Sequence, residues 1–180
     1  MPYIQFNNTG AIISTTEYTT SLDEIEITQE QRALVDENRN KFMVKDALLV
    51  DISQTPDYLA RKLEEAKEAK LAENKQKRDA RLIGGVDYEG VLFDSDTDSK
   101  INISIQLSEM NDTDTVVWKG MNNDRVLFTK QDFVNLAGLL KKLTVDIWGD
   151  GGLDDQYTKA ISDAQTLSKL EEIEIDYSKI

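Results

Sequence analysis

The sequence predicts an α+β fold: a small N-terminal unit of strands and one helix, a long exposed connecting α-helix, and a C-terminal α+β domain with short hairpins and three helices. Both end regions contain short apolar runs bounded by turn residues, which is typical of strands and hairpins. The middle of the chain is one uninterrupted run of strong helix formers. Charge follows the same division, because residues 56–83 hold eight bases and six acids whereas the whole chain has a net charge of −13. We therefore place the domains at 1–54, 55–83 and 84–180.

Short strands and one helix are predicted in the N-terminal region. The runs "YIQF" and "AIIS" are strand candidates around the turn sequence "NNTG", and the polar run "TTEYTTSLD" is predicted to be a loop. Glutamate and isoleucine then alternate in "EIEI", as in a half-exposed strand. A hairpin with its turn at Asp46 closes the region. About 50 residues bury little surface alone, so we expect this unit to contact a partner or a second copy.

The helix of this region has a recognisable start. Thr28 and Gln31 have the spacing of a capping box, in which each side chain accepts a hydrogen bond from the other residue's backbone N–H. Ala33 and Leu34 are expected to face the interior of the short helix that follows.

The connecting helix is bounded by signals at both ends. Thr55 suits the N-cap and Pro56 the first helical position, while Gly84 is expected to end the helix in the left-handed conformation. The helix interior carries alanines and few large apolar residues, so it lacks the sustained apolar seam of a strong coiled coil. A largely solvated spacer, a weak alanine-type self-association and a true oligomer seam are the alternatives.

Four apolar side chains are candidates for contacts with partner proteins. Tyr58, Leu59 and Leu63 form an apolar start to the connecting helix. Trp148 ends the last long amphipathic helix, where it lies either at the edge of the core or on a contact surface. Trp118, in contrast, lies in an alternating strand and is expected to face the core.

Two hairpins and three helices are predicted in the C-terminal region. "VDYEGVLF" and "TVVWKGMNNDRVLF" are the hairpin candidates. Thr129 and Asp132 form a capping pair before an amphipathic helix. The inward face of that helix is expected to hold large apolar residues: Phe133, Leu136, Leu139, Leu140 and Leu143. A final helical stretch is predicted from about Asp154 to Ala164, with a last turn in "TLSKLEEIEI".

Residues 98–110 fit two kinds of structure. A strand is favoured by four alternating apolar residues: Ile101, Ile103, Ile105 and Leu107. A helix is favoured by an apolar stripe at Ile101, Ile105 and Met110, and by Asp96 or Asp98 as an N-cap. The residues alone leave both structures open.

Composition narrows the functional classes. The chain has no cysteine and no histidine, so a thiolate nucleophile, a disulfide, a zinc-thiolate site and a Ser-His-Asp arrangement are all excluded. We predict a non-enzymatic protein with no catalytic residues and no cofactor. The net charge of −13 argues against nucleic acid as a partner. No apolar run approaches the length of a membrane span, and the N-terminus does not resemble a secretory signal, so no membrane contact is expected.

The acidic run "DSDTDS" invites a comparison with a calcium loop. Asp94, Asp96 and Asp98 occupy positions 1, 3 and 5 of such a loop, but Ser99 replaces the glycine at position 6 and Ile105 replaces the bidentate glutamate at position 12. We therefore expect no metal site here. The run is better explained as a turn from a strand to a helix, in which the acidic side chains cap the helix.

A family resemblance extends over residues 75–176. Its segments are "RLIGGVDYEGVLFDSDTDS", "VVWKGMNNDRVLFTKQDFVNLAGLL" and "YTKAISDAQTLSKLEEIEI". In order and spacing they resemble the phage-borne family known as domain of unknown function 4376. The resemblance implies a helix rather than a strand over 98–110, and it supplies no catalytic residues.

The resemblance also implies a setting. Such domains occur in small proteins encoded near phage tail-fibre genes, so we expect a structural component of a bacteriophage tail, either a tail-fibre or a fibre-attachment protein. The alternative is a fibre-assembly chaperone that leaves before the particle is complete. The expected partners are other tail or fibre proteins and further copies of the chain. The expected location is the virion, after synthesis in the bacterial host cytoplasm.

Overall fold

Helices and antiparallel strand hairpins alternate along the chain, so the fold is α+β as predicted. The structure, a computed structural model, describes residues 1–16 and 24–180. These residues form two units, 1–65 and 66–180, and the division falls inside the long helix. The predicted loop "TTEYTTSLD" begins with two residues that end a strand, and its other residues, 17–23, lie outside the described ranges.

The first unit contains five described strands, one α-helix and a short 3-10 turn at Arg39–Lys41. In chain order the elements are β1 (Tyr3–Phe6), β2 (Ile12–Thr16), β3 (Glu24–Glu26), α1 (Gln29–Glu37), β4 (Phe42–Lys45) and β5 (Leu48–Asp51). The strand β1 lies between β2 and β3 in an antiparallel sheet, and β4 pairs with β5 in a hairpin. The hairpin turns through Asp46 and Ala47, both with positive φ, as a two-residue turn of this kind requires.

The core of the first unit shows that the predicted inward face of α1 was wrong. Thr28 and Gln31 do form the capping box. Ala33 and Leu34 are exposed, however, and the buried residue of α1 is Val35. A small aliphatic core surrounds it, made of Ile4, Ile27, Val35 and Val44. Packing against the sheet decides which side of this short helix is buried. The apolar residues of the helix alone do not indicate that side.

The long helix α2 (Pro56–Ile83) is mostly exposed or half-buried, and its residues are shared between the two units. At its start the Thr55 hydroxyl accepts a long hydrogen bond of 3.4 Å from the backbone N–H of Tyr58. Only Tyr58 and Asn74 are buried among its residues.

The glycine that adopts the left-handed conformation after α2 is Gly85, with φ of 86°, and not Gly84 as predicted. The chain therefore turns one residue later than the sequence suggested. The turn is closed by Ser95, whose buried hydroxyl accepts a hydrogen bond from Gly85 N–H (2.9 Å) and donates one to the Leu82 carbonyl (2.7 Å).

Replacing Gly85 by alanine is expected to lower the free energy of unfolding by at least about 2 kcal/mol. An added Cβ would lie 2.6 Å from Met121 Sδ and 2.8 Å from the Phe93 carbonyl oxygen, in a backbone conformation that alanine disfavours. Gly84→Ala is the matched control, because that residue is not left-handed and its Cβ would make one close contact, 3.1 Å from the Ala80 carbonyl oxygen; its change should stay within about 1 kcal/mol. Chemical denaturation of both variants measures the difference, and equal losses would contradict the assignment.

The second unit contains two hairpins and four further helices, the last of them very short. In chain order the elements are β6 (Val86–Tyr88), β7 (Val91–Phe93), α3 (Thr97–Glu109), β8 (Thr115–Lys119), β9 (Arg125–Thr129), α4 (Lys130–Trp148), α5 (Leu153–Asp163) and α6 (Leu167–Glu171). Each hairpin is antiparallel, β6 with β7 and β8 with β9. Thr129 and Asp132 form the predicted capping box of α4.

Aromatic rings fill the core between the hairpins and α4. Phe128 contacts Phe93 and Phe133 edge to face, with ring centroids 5.1 and 5.0 Å apart. Trp118 lies against Phe133 at 4.9 Å, so its predicted orientation toward the core is confirmed. Four of the five expected core residues of α4 are buried; Leu139 is half-buried, and Ile147 continues the buried face.

Candidate interaction surface

A groove lies between α3 and α4 in the second unit. Its volume is about 270 Å³ and its lining is largely apolar. We call it the α3–α4 groove and define it by its lining residues: Lys100, Ile103, Ser104, Ala137, Leu140, Lys141, Thr144 and Val145. The lining combines an aliphatic floor with one lysine from each helix.

The helix α3 carries two apolar stripes, which explains why its sequence was ambiguous. Asp96 caps the helix through a 2.7 Å hydrogen bond from Ser99 N–H, so the helical alternative is correct. The predicted stripe is wrong, because Ile101 and Ile105 are exposed. The inward residues are Ile103, Leu107 and Met110, spaced as one helical face. The outer stripe, Ile101 and Ile105, interleaves with the inner one and produces the alternation of a strand.

Further apolar side chains near the end of α4 are exposed. Val145 lines the α3–α4 groove and is itself exposed. Trp148 is 51% exposed, so the contact-surface alternative fits it better than the core-edge alternative. The guanidinium of Arg78 lies 4.3 Å from the centre of the Trp148 ring, which fixes the ring by a cation–π contact.

The three other predicted contact residues lie in the first unit. Tyr58 is only 6% exposed, so its ring belongs to the interior of the chain and is not free for a partner. Arg61 and Lys62 cover the ring, with their charged groups 5.2 and 5.9 Å from its centre. Leu59 is 43% exposed and Leu63 is half-buried, so Leu59 is the most accessible of the three.

The acidic run before α3 acts as a turn. Asp96 is engaged as the N-cap, Asp94 is half-buried, and Asp98 is exposed in the first turn of α3. Hydrogen bonding to Ser99, followed by the charge of Lys100, lowers the pKa of Asp96. Within residues 1–16 and 24–180, no three acidic side chains cluster as a metal site requires.

A polar cluster joins α2, α5 and the C-terminal segment of the second unit. Asn74 is 2% exposed and donates a 2.9 Å hydrogen bond to Asp154 Oδ1, which also accepts one from Arg78 at 3.2 Å. The Tyr177 hydroxyl donates to Asn74 Oδ1 at 2.9 Å and lies 3.4 Å from Asp154. We call these four residues the Asn74 cluster. No sequence pattern indicates this cluster, because its members lie up to 103 positions apart.

Burial and the charge of Asp154 raise the pKa of Tyr177 to about 12. Because this pKa is raised above the usual value of about 10, the contribution of the neutral phenol to stability is complete below pH 10. It is lost as the pH rises toward 12. We therefore expect the melting temperature to fall more steeply between these pH values in the wild-type chain than in Tyr177→Phe. Parallel slopes would contradict the assignment.

The match to a known protein family lies almost entirely in the second unit. Residues 65–145 match the family model described as Domain of unknown function (DUF4376). Over these residues the chain is similar to the DUF4376 family. The resemblance expected from the sequence is thereby confirmed, although the match starts earlier than 75 and ends before the last helices.

The DUF4376 domain contains every residue that lines the α3–α4 groove, whereas Trp148 and two members of the Asn74 cluster lie beyond it. No curated protein and no solved structure matches the chain. Among the described residues, no helix is long and apolar enough to cross a membrane.

Proposed function

We propose that the chain is a non-enzymatic structural component of a bacteriophage tail, a tail-fibre or fibre-attachment protein that acts through contacts with other proteins. The observation that supports protein contact is the apolar groove inside the DUF4376 domain, next to the exposed outer stripe of α3. Concave apolar surfaces of this kind receive anchor side chains at protein interfaces. The phage setting rests on the resemblance described above.

The composition supports a binding role over a catalytic one. Cysteine and histidine are missing from the whole sequence, and they are the usual nucleophile and general base. The groove presents aliphatic side chains, two lysines and two hydroxyls, without a carboxylate that could act as a base.

Quantitative mass spectrometry of purified phage particles tests this proposal. A structural component should be present at a fixed number of copies per particle. Absence from particles, together with binding to unassembled fibre chains, would replace it with the assembly-chaperone role.

We also propose self-association within the assembly, because the first unit exposes Ile13, Leu34 and Leu48. Sedimentation of the isolated chain measures it, and a monomer at all concentrations would exclude intrinsic self-association.

A further inference from the structure

We propose that the α3–α4 groove binds an acidic amphipathic segment of another protein, in which an aliphatic or aromatic side chain is flanked by carboxylates. This inference deepens the proposed function by naming the chemistry of the partner, and it rests on that function only for the partner's identity. Its basis is the combination of an apolar floor with two lysines that form no ion pair with any described residue.

The dimensions of the groove suit a side chain better than a metabolite. Its 270 Å³ falls below the roughly 300–1,000 Å³ of small-molecule sites. Ile103 and Leu140 are buried and form the floor, and no aromatic or acidic group in the lining could orient a polar ligand. A leucine, methionine or phenylalanine side chain would fill this space and remove water from the floor, as anchor residues do.

The positive charge of the groove indicates that carboxylates should flank the anchor side chain. Lys100 comes from α3 and Lys141 from α4, and neither forms an ion pair with any residue that the structure describes. The nearby Lys142 does form one, with Asp146. Lys100 lies 3.4 Å from the Thr144 hydroxyl, and its charge acts on the neighbouring Asp96, which is engaged as the N-cap and forms no salt bridge with it. Two cations are therefore available at an apolar site in a chain whose net charge is −13.

The outer stripe of α3 extends the surface beyond the groove. Ile101 and Ile105 are exposed beside Ser104 and Ser108, and Ser104 also lines the groove. A segment lying along α3 could thus insert one side chain into the groove and cover the outer stripe with the next. Carboxylates on the same segment would then meet Lys100 and Lys141, giving charge complementarity across the interface.

A twofold dimer through the same face is disfavoured by these lysines. In such an interface each patch meets its own copy, so a lining with two lysines and no carboxylate would meet an identical lining. Like charges opposed in this way are destabilising. The groove therefore fits a different segment with opposite charge.

Fluorescence anisotropy with the full-length chain tests the proposal. The probe is a labelled synthetic amphipathic peptide with leucine and phenylalanine anchors between glutamates, compared with the same peptide carrying lysine for each glutamate. We expect the acidic peptide to bind at least about tenfold more tightly. The double variant Lys100→Glu, Lys141→Glu should reverse this preference, and the milder Lys100→Gln, Lys141→Gln should remove it. Circular dichroism checks that both variants remain folded.

Lys142→Glu is the matched control, because Lys142 is on the same helix but does not line the groove. It should leave the preference for the acidic peptide unchanged. The proposal is overturned if both peptides bind equally or if the groove variants behave like this control. It is also overturned if the groove variants keep the preference for the acidic peptide but lose self-association or binding to anionic lipid vesicles. A failed peptide experiment would not contradict the presence of the chain in phage particles. Absence of the chain from particles would likewise not contradict its preference for the acidic peptide.

Discussion

Replacing Phe133 by alanine is expected to lower the free energy of unfolding of the second unit by about 3–5 kcal/mol. The ring is fully buried and lies between Trp118 and Phe128, at 4.9 and 5.0 Å. Its removal leaves a cavity where the β8–β9 hairpin meets α4, and the rigid aromatic neighbours can close it only in part. Equilibrium denaturation followed by tryptophan fluorescence measures the loss, because both tryptophans lie in this unit.

Val134→Ala is the control for this substitution. Val134 is the next residue of α4 but is 48% exposed, so its truncation removes little buried surface. We expect a change within about 0.5 kcal/mol. A loss at Phe133 no larger than the loss at Val134 would show that the aromatic cluster does not hold the hairpin against α4.

Replacing Asp154 by alanine is the second large effect, and we expect a loss of about 3 kcal/mol. One carboxylate oxygen of Asp154 accepts hydrogen bonds from Asn74 and Arg78 and lies next to the Tyr177 hydroxyl. Its removal leaves a buried amide donor unpaired and a largely buried guanidinium without its partner across the cluster. Thermal and chemical denaturation of the full-length chain measure the effect.

Two companion variants separate the causes of this loss. Asp154→Asn keeps an oxygen acceptor while removing the charge, so its loss should be smaller than that of alanine. Asp155→Ala removes an exposed acid from the same turn of α5 and should be nearly neutral. If Asp154→Ala were as mild as Asp155→Ala, the Asn74 cluster would not contribute to stability.

Features with local causes could be predicted from the sequence. The caps at Thr28, Asp96 and Thr129 depend on residues three positions apart, so the sequence contains both partners of each hydrogen bond. The hairpins are likewise specified by short strands and their turn residues. The starts of α1, α3 and α4 follow from these caps.

Features with distant causes could not be predicted. The buried side of α1 is set by its sheet, and the left-handed residue after α2 is set by Ser95, ten positions beyond Gly85. The outer stripe of α3 was missed because Ile101 and Ile105 were expected to point inward. This stripe could have been recognised in the sequence. A helix that packs on one core needs only one apolar stripe, whereas the sequence of α3 contains two.

The C-terminal segment after α6 is held by two buried side chains and by several hydrogen bonds to its backbone. Lys77 donates to the Ile175 carbonyl and Arg81 to the Ile180 carbonyl, each at 3.0 Å. The Tyr157 hydroxyl both accepts from the Asp176 N–H and donates to the Asp176 carbonyl. Since every residue type offers the same carbonyl, mutational drift in this segment should be constrained only where a side chain is buried, at Ile175 and Tyr177. Its attachment can therefore persist between relatives whose sequences no longer align there.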